Sequence, residues 1–347
     1  MRRIAALAFA VALFPVVAIA GLPAKCGVPA DLHDGWKVAA PAQEGLDPRL
    51  VCGIGPRLEK MTEADAHAVV VIRHGVLVYE HYFTGGDEHE LGFIVGRVER
   101  DANTLHSEYS VTKSVTALLT GIAFDHGWLK NIEASVFSFL PQYADLRTPE
   151  KDRITVRDLL TMSSGLAWPE LAVTYASMTN PTRQMSSAPD PFRFLLGQPL
   201  AAAPDTLWNY DSGAVELLGV ILEKASGRSL GELAKATLFD PLGITDEEWG
   251  AASSGLELRP RDLAKIGQMV LNRGMWHGHR IVSAGWIEAI QSRRSRSLLS
   301  GIGPADTAIC GGSASRTLST MTSIGLLGSV WAASGSISCR ASISSSR

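Results

Sequence analysis

The chain has almost no excess charge of either sign. Its 32 Lys and Arg residues nearly balance 35 Asp and Glu residues, which gives a net charge of −3 at pH 7. Proteins that bind nucleic acids or acidic membrane surfaces usually carry a basic excess. The composition therefore argues against nucleic acid as a partner.

Cysteine is also scarce. The four cysteines are Cys26, Cys52, Cys310 and Cys339, and none has the spacing of a metal-ligand set. Cys26 and Cys52 could pair in an oxidising compartment. Two common hydrolase signatures, G-x-S-x-G and H-E-x-x-H, do not occur in the sequence. Their absence argues against a Ser-His-Asp hydrolase and against a zinc protease.

The N-terminus has the pattern of a secretory signal peptide at residues 1–20. Arg2 and Arg3 precede an apolar run, and Ala18-Ile19-Ala20 is an A-x-A cleavage site, with Leu22-Pro23-Ala24 as a second candidate. A membrane anchor is the alternative, although the run is slightly short for a membrane span. We expect an exported protein, periplasmic or secreted, with no stable membrane association after cleavage.

The chain has 347 residues, of which 46% are hydrophobic, enough for one large domain or two intimately packed ones. Residues 68–73 and 76–82 predict a β-hairpin around the turn His74-Gly75. Residues 84–104 predict a polar loop. Residues 128–215 lack strand patterning, and we interpret residues 170–205 as loops and short helices above a cleft.

Helix start and stop signals predict a series of helices along the chain. The short ones are expected at residues 47–61, 137–140 and 155–162, with Thr155 as the cap of the last. Longer helices are expected at residues 212–225, 229–239, 260–272 and 281–291, and the helix at 229–239 is expected to stop at Pro241 and Gly243.

Ser110-Val111-Thr112-Lys113 is the first candidate catalytic motif, of the form S-x-x-K. It opens an apolar helical pattern that ends near Gly127. Residues three apart in a helix share one face, so the lysine lies within reach of the serine hydroxyl. A serine needs a base to become a nucleophile, and a lysine can serve if burial lowers its pKa. Alone, this motif is more often a solvated helix face.

The second candidate motif is Tyr210-Asp211-Ser212, just before another predicted helix. A tyrosine can shuttle a proton when a neighbouring cation stabilises its phenolate. Alone, this pattern more often means a turn tyrosine followed by a capping serine.

Together, the two motifs resemble serine hydrolases related to class C β-lactamases and penicillin-binding proteins. Several flanking segments are similar to the branch that contains 6-aminohexanoate-dimer hydrolases and esterases, over residues 36 to about 290. These segments are residues 71–75, 109–114, 159–166, 208–210, 238–244 and 267–272.

The resemblance implies an α/β fold of the α+β type. A mixed antiparallel sheet would be flanked by helices, and a mainly helical lobe, about residues 128–215, would be inserted in a domain spanning residues 21–296. Ser110 would be the acylated nucleophile, and its backbone N–H would form half of an oxyanion hole. Lys113 would help to remove the serine proton, and Tyr210 would act as base and then as acid. No metal or organic cofactor is implied.

The sequence departs from the family at two places. The third residue of the second motif is often Asn and is here Ser212, to which we assign a substrate-binding role. The family's late Lys- or His-x-Gly motif is absent. Instead, residues 297–347 contain 14 serines in 51 positions and a single acidic residue, Asp306. The C-terminal strands of the sheet are therefore expected to be missing or scrambled.

We attribute this tail to a frameshift, because shifted readings of residues 307–312 and 339–347 can give strand-like segments similar to the family. A natural, differently folded tail is the alternative. The sequence predicts a secreted serine hydrolase for a small ester or amide. A β-lactamase or D-Ala-D-Ala carboxypeptidase, and a catalytically impaired homologue or binding protein, remain as alternatives.

Overall fold

The computed structural model describes residues 26–61, 66–88 and 94–291. The predicted signal peptide at residues 1–20 lies outside these ranges. So does the Ser-rich tail at residues 297–347, with Cys310 and Cys339. The expectations for both termini therefore stay predictions.

The strands are short and form small sheets. Their bounds are β1 Lys37–Val38, β2 Ala68–Arg73, β3 Val76–Tyr82, β4 Gly85–Glu88, β5 Ile94–Val98, β6 His106–Ser107, β7 Glu247–Trp249, β8 Leu256–Leu258, β9 Met275–Trp276 and β10 His279–Arg280. In the first sheet β3 lies between β1 and β2, and in another β8 lies between β6 and β7. The pairs β4–β5 and β9–β10 are antiparallel. Helices and small sheets together give the mixed α/β architecture that the sequence predicts.

The predicted hairpin is confirmed. Strands β2 and β3 are antiparallel and pair Ala68 with Tyr82 and Arg73 with Val76. His74 and Gly75 both have positive φ, as two-residue hairpin turns require. The prediction of a polar loop at residues 84–104 was wrong in part, because β4 and β5 lie within it. Glycine and charged residues are depleted in strands, but the pairing itself uses only backbone groups.

Most predicted helices are present, with their ends shifted by a few residues. The helices are α1 Pro48–Val51, α2 Ile54–Leu58, α3 Thr112–Asp125, α4 Val156–Leu160, α5 Pro181–Ser187, α6 Pro191–Gly197, α7 Ser212–Ser226, α8 Leu230–Ala234, α9 Asp240–Leu242, α10 Pro260–Leu271 and α11 Ala284–Ile290. The helix predicted at residues 47–61 divides at Gly53, since glycine favours leaving the helix. The segment predicted at residues 137–140 is a 3-10 turn, Val136–Ser138.

Pro241 does not stop the helix predicted at residues 229–239. A π-helical turn, Lys235–Phe239, joins α8 to α9, and Pro241 lies in the first turn of α9, where its missing N–H is tolerated. The chain leaves the helix at Gly243, which has φ 64°.

Helices α3 and α7 form the centre of the core. They pack against each other, and Leu118, Leu119, Leu217 and Leu218 are all buried in the same apolar cluster. Because such interiors are close-packed, the two helices hold a fixed relative position. Their N-terminal ends carry the two predicted catalytic motifs.

Two further contacts stabilise the N-terminal segment and α11. Cys26 and Cys52 form a disulfide, as the sequence allows. Helix α11 lies against α3, where the Trp286 ring nitrogen donates a hydrogen bond to the Ala117 carbonyl at 3.0 Å. A Cβ atom on Gly121 would lie 2.3 Å from the Trp286 ring. Only glycine permits this close approach.

Candidate active site

Ser110 lies where the chain turns from β6 into α3. A 3-10 turn, Tyr109–Val111, connects the two, and Tyr109 has a positive φ of 41°. This left-handed conformation costs a non-glycine residue roughly 1–3 kcal/mol and is enriched at functional sites. The turn places Ser110 two residues before Thr112, the buried first residue of α3.

The three predicted catalytic residues meet at the Ser110 hydroxyl. The Lys113 Nζ donates to Ser110 Oγ at 3.0 Å. The Tyr210 hydroxyl donates to the same oxygen at 2.6 Å, across 100 residues of sequence. The Lys113 Nζ also lies 5.0 Å from the centroid of the Tyr210 ring. The structure therefore brings Ser110, Lys113 and Tyr210 into one cluster.

Lys113 has the environment of a titratable base. Its side chain is 8% exposed, and besides Ser110 it contacts the Ser253 carbonyl oxygen at 2.9 Å. Burial lowers the pKa of Lys113 to about 8, against the opposing charges of Glu170, Glu216 and Asp211. An amine with such a pKa is partly neutral near physiological pH and can accept a proton.

The pKa of Tyr210 is shifted in the opposite direction from that of Lys113. Burial raises the pKa of Tyr210 to about 12, while the hydrogen bond with Ser110 acts to lower it and the charge of Glu170 to raise it. The phenol therefore keeps its proton at neutral pH. In this state Tyr210 is a hydrogen-bond donor to Ser110, the predicted nucleophile.

Ser212 is placed near this cluster, but its hydroxyl faces Glu170. Its Oγ donates to Glu170 Oε1 at 2.7 Å and its backbone N–H to Glu170 Oε2 at 2.8 Å. The cap of α7 is Asp211, whose carboxylate accepts from the Ala214 N–H at 2.9 Å. Burial raises the pKa of Asp211 to about 7. The substrate-binding role of Ser212 stays a prediction.

The sequence patterns did not identify the segment before β8, whose Ser253 carbonyl accepts a hydrogen bond from Lys113. Glu216, on α7, accepts hydrogen bonds from the Ala252 and Ser253 N–H groups at 3.1 and 2.9 Å. The Thr116 hydroxyl donates to the Ala252 carbonyl at 2.7 Å. A backbone carbonyl has no signature in the sequence. The run of small residues before β8 was the available cue.

Two buried acidic residues were also missed. Glu170 is fully buried, although it follows the apolar run Ala167-Trp168-Pro169, where an isolated carboxylate could have been noticed. Glu108 precedes Ser110 by two residues, and burial raises its pKa to about 8. The part of the chain in which the resemblance would place a second oxyanion-hole donor lies outside the described residues, so the oxyanion hole stays a prediction.

Neither a metal cluster nor a membrane span is found among the residues that the structure describes. No group of three or more His, Cys, Asp or Glu side chains there could hold a metal ion. No helix in the same ranges is long and apolar enough to cross a bilayer.

Comparison with known proteins identifies the family of this chain. A family model described as Beta-lactamase matches residues 58–262, more than half of the chain. The chain belongs to the Beta-lactamase family. This match includes the Ser110 and Tyr210 motifs and the helices that carry them.

Individual relatives are more distant. The chain is 26% identical to a 6-aminohexanoate-dimer hydrolase from Paenarthrobacter ureafaciens, over 70% of this chain and 61% of the relative. It is 26% identical to a lovastatin esterase from Penicillium rubens, over 51% of each. It is 30% identical to the esterase EstB from Burkholderia gladioli, over 51% of this chain and 45% of EstB. The chain thus spans about half to three fifths of the curated relatives it matches.

Solved structures show the same fold. EstCE1, a hydrolase with promiscuous acyltransferase activity, superposes with a TM-score of 0.54 at 16% identity, over 73% of this chain and 77% of EstCE1. The octameric penicillin-binding protein homologue from Pyrococcus abyssi gives 0.51 at 22% identity, over 68% and 58% of the two chains. These similarities confirm the predicted fold class of the Beta-lactamase domain.

Proposed function

We propose that this Beta-lactamase family protein is a serine hydrolase that forms an acyl-enzyme on Ser110. The observation that carries the proposal is the convergence of Lys113 Nζ and Tyr210 OH on Ser110 Oγ, at 3.0 and 2.6 Å. The low pKa of Lys113 supports it, because an activated serine needs a neutral base at hand.

In the first half-reaction the neutral Lys113 amine takes the Ser110 proton while Oγ attacks the substrate carbonyl carbon. Tyr210 then donates its phenolic proton to the leaving oxygen or nitrogen and regains a proton from the Lys113 ammonium. The products are the free alcohol or amine and an ester on Ser110. The resemblance implies that Tyr210 is the base and that Lys113 assists it, but the raised pKa of Tyr210 favours Lys113 as the first proton acceptor.

In the second half-reaction water attacks the Ser110 ester. One proton of the water passes to the Lys113–Tyr210 pair, and the departing Ser110 oxygen receives a proton from it. The acid is released and the resting protonation states return. Microscopic reversibility requires the same two groups in both halves.

For the substrate we propose a small ester or amide. The relatives named as esterases and as an amide-dimer hydrolase support this class, although the chain matches only part of their length. A β-lactam or D-Ala-D-Ala substrate is the second candidate. It is favoured by 30% identity over 166 residues to penicillin-binding protein 4 of Amycolatopsis lactamdurans.

We also propose export, which the Cys26–Cys52 disulfide supports, because disulfides persist in oxidising compartments. N-terminal mass analysis of the protein recovered from the periplasm or medium tests this. A chain beginning at Gly21 or Lys25 is expected from the two candidate cleavage sites. Recovery of the chain only from the cytoplasm, with residues 1–20 intact, would contradict export.

The decisive experiment is mass spectrometry of the purified protein after incubation with a fluorophosphonate probe. One adduct on Ser110, absent in Ser110→Ala, is expected. An ester panel, short amides and the chromogenic β-lactam nitrocefin then separate the two substrate classes. A folded protein without an adduct would refute the hydrolase and favour a binding protein or an impaired homologue.

A further inference from the structure

Glu170 is the acidic residue with the most complete hydrogen bonding near the site. Its side chain is fully buried in the 3-10 turn Glu170–Ala172. Oε1 accepts from the Tyr175 hydroxyl at 2.7 Å and from the Ser212 hydroxyl at 2.7 Å. Oε2 accepts from the Trp168 ring nitrogen and the Ser212 N–H, both at 2.8 Å. All four partners donate, which suits an ionised carboxylate.

These hydrogen bonds join two segments that are far apart in sequence. Trp168 and Tyr175 lie in the loop before α5, whereas Ser212 opens α7. A parallel contact, from Asn209 Nδ2 to the Trp168 carbonyl at 2.8 Å, links the same segments. Tyr210 lies between Asn209 and Ser212. Both flanks of the proton donor are therefore tied to the loop that contains Glu170.

We propose that Glu170 is a positioning residue of this active site. Its carboxylate fixes the turn that carries Tyr210, and its negative charge acts on Lys113 and Tyr210. The inference rests on the proposed function, because it assigns Glu170 a part in activating Ser110. Glu170 acts through Tyr210 and Lys113 and does not itself touch the reacting atoms.

The charge has a measurable consequence. Glu170 acts to raise the pKa of Lys113, in opposition to burial. Other charges that act on Lys113 are Glu216, on α7, and Asp211, the N-cap of that helix. Neutralising Glu170 therefore lowers the pKa of Lys113. Because Lys113 must be neutral to accept the serine proton, the acid limb of the pH profile then moves to lower pH.

The test is the rate of Ser110 labelling by a fluorophosphonate, measured from pH 6 to 10 in Glu170→Gln. A glutamine keeps the shape but can accept only through one oxygen. The rate on the plateau is expected to fall about 100-fold, as misplacement of a catalytic group by about 1 Å does. The acid limb is expected at lower pH than in the unsubstituted protein.

Asp158→Asn is the matched control. Asp158 is a buried carboxylate that accepts from the Thr155 N–H and hydroxyl in the capping box of α4, and these hydrogen bonds involve none of the three proposed catalytic residues. This variant is expected to lose stability but to keep the acid limb of the unsubstituted protein. The proposal would be overturned if Glu170→Gln had its acid limb at the same pH as Asp158→Asn and labelled at a rate within twofold of that variant.

Tyr175→Phe keeps the experiment decisive if Glu170→Gln does not fold. Tyr175 is 50% exposed, so the change removes one donor to Glu170 at little cost to folding. The labelling rate is expected to fall about fivefold, the worth of one hydrogen bond, without movement of the limb to lower pH. An unchanged rate would overturn the positioning role. Failure of the unsubstituted protein to label would instead refute the proposed function.

Discussion

Two buried lysines of this protein have opposite surroundings. Lys265, on α10, is fully buried and forms an ion pair with Asp262 at 2.7 Å and a hydrogen bond to the Gly243 carbonyl at 2.8 Å. Lys113, on α3, is nearly as buried, but its nitrogen meets the Ser110 hydroxyl and the Ser253 carbonyl. One lysine has a carboxylate in direct contact and the other has neutral oxygens.

The difference bears on the role of base that we propose for Lys113. Carbonyl and hydroxyl oxygens satisfy the donors of an ammonium without neutralising its charge, so burial dominates and lowers the pKa of Lys113 to about 8. A carboxylate in direct contact, in contrast, compensates the positive charge of a buried side chain. Helix α10 repeats this structural pattern, since the buried Arg261 pairs with Glu80 and Asp34. The buried charges of α10 therefore have carboxylate partners in direct contact, whereas the proposed base Lys113 has none.

The largest expected effect comes from removing the amine at the site. Lys113→Met should lower the rate of Ser110 labelling, and of ester turnover, by about 10³–10⁴-fold, because a general base contributes up to that factor. Stopped-flow or intact-mass kinetics with the fluorophosphonate measure it. Lys265→Met is the control and should label at a rate close to that of the unsubstituted protein. Equal labelling rates in the unsubstituted protein and in both variants would show that the different surroundings of Lys113 and Lys265 do not affect catalysis.

The same two substitutions should change stability in opposite directions. Lys265→Met leaves the buried Asp262 with Arg259, at 2.6 Å, as its remaining ion-pair partner, and should lower the free energy of unfolding by about 1–3 kcal/mol, the cost of one lost hydrogen bond to a buried charge. Lys113→Met removes a buried ammonium that has no direct carboxylate partner and whose pKa is lowered by burial, and it should raise the free energy of unfolding at pH 7 by about 1–3 kcal/mol. Urea unfolding followed by far-UV circular dichroism gives both values. Loss of stability in both variants would contradict the distinction.

The pH dependence sharpens the distinction further. The folded-state pKa of Lys113, about 8, lies below its ordinary value of 10.5. The labelling rate should therefore rise about tenfold per pH unit up to pH 8 and then level off, since only the neutral amine accepts the serine proton. Stability should rise between pH 8 and 10.5, where the unfolded chain binds the extra proton. A rate that is flat between pH 6 and 9 would exclude Lys113 as the base.

The sequence predicted the parts of the site that depend on local spacing. Ser110 and Lys113 are one helical turn apart, and the apolar pattern that follows Lys113 predicts burial of α3. The meeting of Tyr210 with Ser110 did not follow from spacing. It depended on the resemblance to a known family, because 100 residues separate the two side chains.

The remaining features could not be predicted for physical reasons. The Ser253 carbonyl is a backbone group, and any residue could supply it. The role of Glu170 arises from four contacts that only the folded chain assembles. Strands β4 and β5 pair through backbone hydrogen bonds in a segment whose glycines and charges favour a loop. The local amino-acid composition does not show backbone contacts or contacts between distant segments.

The smallest expected effect tests whether the carbonyl contact of Lys113 depends on α7. Glu216 binds the N–H groups of both Ala252 and Ser253, and its charge opposes the lowering of the Lys113 pKa. Glu216→Gln keeps one acceptor oxygen, so the segment should loosen and the labelling rate should fall about fivefold, as for one lost hydrogen bond. The acid limb should move to lower pH, because a negative charge near the ammonium is lost.

Glu223→Gln is the matched control for this variant. Glu223 lies on the same helix, and its carboxylate accepts from the Leu230 N–H at 2.9 Å, near the far end of α7. It should leave both the rate and the acid limb unchanged. If Glu216→Gln behaves like Glu223→Gln, the Ser253 carbonyl does not depend on Glu216 for its position. Burial of Lys113 between α3 and the segment before β8 would then be sufficient to set its pKa.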